Sequence, residues 1–221
     1  MSDIDLSSIL SQWPLGPDHE VLRLVNLPAG RQVIHVRIEM GLLQLEMDGR
    51  PDGLPSVFTT SQTTVDDATA GQLMHEASLH HYRGQLLLTL GCHAAALHDA
   101  EHVLRCAQAA DGVSPDDDLR AARRRGYTLR ARAAAEAAIS TGRKDLAREA
   151  IARGLADLAD VVDETSADRC NDVMLLQGLR DVLTPQLPSS QREELRQRIQ
   201  DAIARENYEL AAILRNELRQ L

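Results

Sequence analysis

The feature that constrains the fold most is the strand-like alternation of apolar residues, which is confined to the first part of the chain. From Val33 to Met40 apolar and polar residues alternate, which is the period of a half-buried β-strand. After Gly41 the alternation continues with its apolar positions shifted by one residue, as a β-bulge or a tight reversal would produce. From Val65 onward little strand signal remains. The pattern therefore predicts an α+β fold that is mostly α, with a small N-terminal antiparallel β-meander.

The alternating region predicts two or three strands. Val21–Asn26 is a β-rich run, Pro28–Arg31 is typical of a hairpin loop, and the turn residues of Asp48–Gly53 end the region. A sheet this small is marginal alone, so its apolar face needs a helix or a second subunit as cover. That face consists of Ile34, Val36, Ile38, Leu43, Leu45 and Met47.

The middle of the chain predicts an antiparallel helical bundle. Aromatic residues make up only 2% of the chain, so Leu, Val, Ile and Ala must build the interior, as in close-packed helices. Gly84, Ala96 and Leu104 fall at the offsets of the tetratricopeptide pattern, which predicts tetratricopeptide-like pairing. The alternative is an ordinary alanine-rich helical hairpin, because any such hairpin matches part of this loose pattern. The helices are expected at about 65–90, 93–110, 115–140, 144–162 and 167–183.

Composition changes along the chain predict three regions. Residues 1–62 form the β-meander region, residues 63–184 the helical middle, and residues 190–221 a helical hairpin. A linker with Pro185 and Pro188 separates the last two regions.

Charge and cysteine content exclude several classes of function. The net charge of −9 disfavours direct nucleic-acid binding, because the long-range field repels phosphates. Three cysteines without paired spacing indicate a reducing compartment. The start of the chain lacks a secretory pattern, and no apolar run is long enough for a bilayer. We therefore expect a cytoplasmic protein without membrane association.

One motif in the helical middle has the order of a metal site. His98, Glu101 and His102 follow the H-x-x-E-H order of one zinc-peptidase class, in which two histidines one turn apart share a metal. No third ligand is evident, and the helical period directs Ala96 and Val103 inward and both histidines outward. We therefore expect no catalytic residue, metal or cofactor, and a hydrolase using these three residues is an alternative.

The last thirty residues predict two short amphipathic helices. Ser190 and Glu193 form a capping box, and an apolar face with Leu195 and Ile199 follows. Helices of this size cannot bury their apolar faces alone, so they must pack on the body, on a second copy or on a partner. The second helix carries Tyr208, Ala211, Ala212, Leu214 and Leu218.

Residues 195–221 resemble the UVR motif, which the B and C subunits of bacterial excision-repair nuclease share with Clp-type chaperones and their adaptors. The sequence departs from the motif at Ile203, Glu206 and Asn216. Gly41–Gly53 further resembles uncharacterised bacterial proteins that carry this motif. The motif positions matched are Ile199, Ala202, Tyr208, Glu209, Ala211, Ala212, Leu214 and Arg215.

The resemblance implies a non-enzymatic adaptor or scaffold that docks a protein partner through the hairpin and the helical middle. An accessory role in DNA repair, acting through protein binding, is the alternative that the motif suggests. The sequence does not identify the partner and leaves association with a second copy open. The residues expected to contact the partner are Ile199, Ala202, Tyr208, Ala211, Ala212 and Arg215.

Overall fold

The computed structural model describes residues 7–16, 21–39, 41–58, 65–163, 170–183, 189–205 and 207–220. It divides into two compact units, Met1–Gln177 and Gly178–Leu221. The strands are β1 (Leu22–Asn26), β2 (Gln32–Ile38) and β3 (Gly41–Glu46). The helices are α1 (Ser7–Gln12), α2 (Asp67–Thr89), α3 (His93–Ala109), α4 (Asp116–Ser140), α5 (Lys144–Ala159), α6 (Asn171–Leu183), α7 (Ser189–Ala204) and α8 (Tyr208–Gln220). The predicted fold class, α+β and mostly α, is confirmed.

The three strands form one antiparallel meander in the order β1-β2-β3. The apolar phase shifts at Gly41 because β2 reverses tightly into β3, with Ile38 paired to Gly41. This reversal pairs even-numbered residues of β2 with odd-numbered residues of β3, so Ile34 lies opposite Leu45. Of the two explanations for the shift, the tight reversal is the one observed.

Helices cover the apolar face of the sheet, as its size required. Ile34 and Leu45 are buried in one cluster with Leu87 from α2 and Leu129 from α4. Val36, Leu43 and Met47 pack against the same cluster. Ile38, predicted for this face, is instead 48% exposed, and it is the last residue of β2, at the reversal into β3.

Consecutive helices from α2 to α5 pack against each other, and α2 also contacts α4. Glycines occupy the closest approaches. A Cβ at Gly84 of α2 would lie 2.4 Å from a methyl carbon of Leu129, so a larger residue there would force the Leu129 side chain to move. This close approach agrees with the small residue expected at position 84, while the relation to tetratricopeptide repeats stays a prediction.

The helix boundaries differ from the predicted ones in a few places. Asp66 is the N-cap of α2, because its side chain accepts a hydrogen bond from the backbone N–H of Thr69 at 2.9 Å. Thr64, which immediately precedes the predicted start of this helix, lies outside the described residues. The short helix α1 was not predicted, because six residues carry too little periodicity. No helix in the described part of the chain is long and apolar enough to cross a membrane.

Candidate functional site

The C-terminal unit contains a helical hairpin formed by α7 and α8, which pack against each other. Asn207 starts the second helix, because its side-chain oxygen accepts a hydrogen bond from the backbone N–H of Leu210 at 3.1 Å. The two helices predicted for this region are therefore present. Side chains at the start of α7, including Ser190 of the predicted capping box, lie outside the described residues.

Both helices have a buried side made of small and branched residues. Leu195 and Ala202 of α7 and Ala211 and Leu214 of α8 are between 3% and 8% exposed. Ala202 and Ala211 were predicted to contact a partner, and in this structure they belong to the buried side. The rest of that predicted set remains at least partly accessible, with Ile199 half-buried and Tyr208, Ala212 and Arg215 exposed.

One flank of the hairpin combines a narrow groove with charged residues. Arg198, Asp201 and Arg205 of α7 line this groove together with Leu210 of α8, and its volume is about 320 Å³. We call this side of the hairpin the groove flank. Successive residues of a helix are about 100° apart around its axis. The direction of these groove residues therefore gives the direction in which the remaining residues of α7 and α8 face.

The opposite flank is apolar. Ile203 lies there at 41% exposure and Tyr208 at 66% exposure, one from each helix. Ala212 and Arg215 follow Tyr208 one and two turns later on the same flank. We call these residues, with the half-buried Ile199, the apolar flank.

The amino-acid pattern of the hairpin matches a known family. Residues 189–221 match the family model described as the UvrB/uvrC motif. The C-terminal hairpin is a UVR motif. No significant match was found among curated proteins or among solved structures.

A second constellation of functional side chains lies in the first unit, between α2 and α3. Glu76, His80 and Arg83 share one face of α2, since they are spaced four and three residues apart. Asp99 and His102 face them from α3. All five side chains are buried, with exposures between 0% and 8%. We call this group the buried polar cluster.

Asp99 is held by two side chains of α2. Arg83 donates two hydrogen bonds to its carboxylate, at 2.9 and 2.5 Å, and Nδ1 of His80 lies 2.7 Å from the same group. Arg83 also donates to the backbone carbonyls of Glu46 and Gly49, at 2.7 and 2.9 Å. This half of the cluster therefore joins both helices to the end of the sheet.

Glu76 anchors the segment that follows the sheet. Its carboxylate accepts hydrogen bonds from the Ser56 hydroxyl at 2.6 Å and from the backbone N–H of Val57 at 2.7 Å. Nε2 of His102 lies 2.7 Å from the same carboxylate. The rings of His80 and His102 stack with their centroids 3.9 Å apart.

The hydrogen bonds decide the protonation of the cluster. Burial opposes ionisation of both acids, but the bonds from Ser56, Val57 and His102 hold the pKa of Glu76 below its ordinary value. Arg83 and His80 do the same for the pKa of Asp99. Burial, followed by the neighbouring His80, lowers the pKa of His102. At neutral pH both carboxylates are therefore ionised and His102 is neutral.

The buried polar cluster includes only one residue of the predicted H-x-x-E-H motif. His98 and Glu101 are exposed, whereas His102 points inward, so the prediction that both histidines face outward is wrong for His102. Ligand atoms of His102, Glu76 and His80 come within 4.8 Å of one another. Sequence reasoning missed Glu76, His80 and Asp99; their signal was the placement of polar residues at inward positions of two amphipathic helices.

Proposed function

We propose that this protein is a non-catalytic adaptor that docks a protein partner through the apolar flank of its UVR hairpin. The exposure of Tyr208, 66% at the start of α8, is the observation that carries this proposal. The buried side of the hairpin uses other residues, so Tyr208 is available for a partner. Large aromatic side chains at the centre of an interface contribute a large share of binding energy.

The chemistry of the apolar flank defines the partner surface that would fit it. Ile203 and Tyr208 favour an apolar pocket or helix face on the partner. Arg215 follows on the same flank and favours a carboxylate at the edge of that surface, because a guanidinium forms two parallel hydrogen bonds with it. A protein with an apolar patch bordered by Asp or Glu meets both requirements.

An accessory role in DNA repair is the second candidate, and the match to the UvrB/uvrC motif favours it. Such a role would act through protein binding, because the net charge of −9 repels DNA. Two arginines of α4 already pair with acidic side chains, Arg123 with Asp111 and Arg130 with Asp157. These guanidinium groups are therefore less available to the phosphates of DNA.

Affinity capture tests the proposal. The tagged full-length chain and a chain ending at residue 188 are used as baits in extracts of the native cell. We expect a stoichiometric partner that only the full-length bait recovers. As a control, the variant Leu146→Ala removes an apolar side chain of α5 with 46% exposure and should recover the same partner. Equal recovery by the full-length and shortened baits would contradict the proposal.

A further inference from the structure

We propose that Glu76, His80 and His102 form a binding site for a divalent transition metal, with zinc as the expected ion. The site would fasten α2, α3 and the segment before residue 58 to one another. It is independent of the hairpin and of its partner.

The donor set suits zinc. Two imidazoles and one carboxylate are a recognised zinc ligand set, with water completing the coordination. Ligand atoms bound to a tetrahedral zinc ion lie about 3.4 Å apart, given bond lengths of about 2.1 Å. Here Oε1 of Glu76 lies 2.7 Å from Nε2 of His102 and 4.0 Å from Nε2 of His80. These distances lie on either side of the required value. Binding the ion would require the stacked imidazole rings to rotate away from each other, so that both Nε2 lone pairs point at it.

The hydrogen bonds around His80 direct a lone pair into this site. Asp99 is ionised and can only accept hydrogen bonds, so Nδ1 of His80 carries the proton that is shared with it. When the His80 ring is neutral, the proton on Nδ1 leaves Nε2 with a free lone pair. This atom is buried and has no hydrogen-bond partner among the residues that the structure describes. A lone pair facing the carboxylate of Glu76 in a buried site is unfavourable, whereas a cation between the two groups would bind both.

Asp99 would orient His80 in this arrangement without contacting the ion. Metal-bound histidines usually donate their other ring N–H to a carboxylate, which fixes the orientation of the ring. Asp99 does this for His80 and is itself held by Arg83. His102 would bind zinc through Nε2 in place of its hydrogen bond to Glu76, with the ring proton on Nδ1. The long 3.5 Å contact of that Nδ1 with Arg105 would then open.

Zinc titration of the metal-stripped full-length protein tests the proposal by calorimetry. We expect one zinc ion per chain, and at least about tenfold weaker binding in His80→Gln and in His102→Gln. His98→Gln is the matched control, since this exposed histidine lies one turn before His102 on the same helix. It should bind zinc as the unmodified protein does. Absence of zinc binding, or equal binding by His80→Gln, would overturn the proposal.

A second measurement needs no variant and so does not depend on how the variants fold. Imidazole ¹⁵N resonances of the unmodified protein are recorded with and without zinc. Zinc should shift Nε2 of His80 and of His102 and leave the ring of His98 unchanged. If Nε2 of His80 instead carries a proton bonded to Glu76 and does not respond to zinc, the cluster is a hydrogen-bonded structural element and the proposal is wrong.

Discussion

Asp99 is a buried carboxylate of α3 that is hydrogen-bonded to two side chains of α2. It is 1% exposed and accepts hydrogen bonds from Arg83 and His80. Replacing it with Asn would leave the Arg83 guanidinium buried without a counter-charge. Breaking a buried ion pair in this way costs about 3–5 kcal/mol. We therefore expect Asp99→Asn to lower the free energy of unfolding by that amount in urea denaturation.

Asp117→Asn is the matched control for this prediction. The Asp117 side chain is 95% exposed and pairs with Arg120 on the surface. Exposed pairs of this kind contribute about 0–1 kcal/mol, so this variant should unfold close to the unmodified protein. Equal effects of the two substitutions would show that the Asp99 pair does not hold the helices.

Cys106 gives a prediction about thiol chemistry. Burial, with a smaller effect from Glu76, raises the pKa of its thiol from 9.0 to about 12. The reactive thiolate is therefore almost absent from the native protein at pH 8. Cys92 is half-buried and should react first with an alkylating reagent. Mass spectrometry of the labelled peptides should find Cys106 unmodified until urea unfolds the chain; early labelling of Cys106 would contradict its burial.

At the scale of the elements, one glycine sets the distance between α4 and α5. A Cβ at Gly154 of α5 would lie 2.3 Å from the Cβ of Ala131, an atom that cannot rotate away. Gly154→Ala should therefore force the helices apart. Overpacking of a core costs about 1–3 kcal/mol, and we expect a loss of that size in thermal or urea unfolding.

Gly71→Ala provides the opposite case. Gly71 lies inside α2, and a Cβ added there would meet no neighbouring atom within 4 Å. Alanine is favoured over glycine in a helix by about 0.8–1 kcal/mol, so this variant should be more stable than the unmodified protein. Similar changes in the stability of both variants would show that the contact with Ala131 does not set the effect of Gly154→Ala.

The sheet could be predicted from the sequence because its signal is local. Alternation along β2 and β3 fixes which side chains share a face, and Ile34 and Leu45 are buried as that pattern required. The bounds of α3 and α4 were also predictable to within about two residues, since turns with Gly or Pro separate them. Ile38 is exposed although the alternation placed it on the buried face, because it lies where the strand ends and periodicity does not define that position.

The buried polar cluster could not be predicted in this way. Its members come from two helices, and Glu76 and His102 meet only through the packing of α2 on α3. Periodicity gives the inward direction of a residue but does not say which residue of another helix lies opposite. Polar residues such as His102 are usually placed outward, so the pattern favoured the wrong direction.

At the scale of the whole molecule, the first unit has its own cores. One contains Ile34, Leu45 and Leu129, and the other contains Leu73 and Val103, all from before residue 178. A chain ending at residue 188 should therefore unfold cooperatively, with a thermal midpoint within about 2 °C of the full-length protein. Scanning calorimetry of both chains checks this. A large fall in the midpoint would show that the hairpin stabilises the first unit.

The hairpin provides the decisive test, because Tyr208 is exposed and its removal should leave α7 and α8 folded. The measurement is the affinity of the captured partner for the full-length protein, for Tyr208→Ala and for Leu210→Ala on the groove flank, with circular dichroism of each. We predict that Tyr208→Ala loses about 2 kcal/mol, or roughly thirtyfold in affinity, with helicity unchanged, while Leu210→Ala binds normally. Unchanged affinity of Tyr208→Ala would contradict docking through the apolar flank.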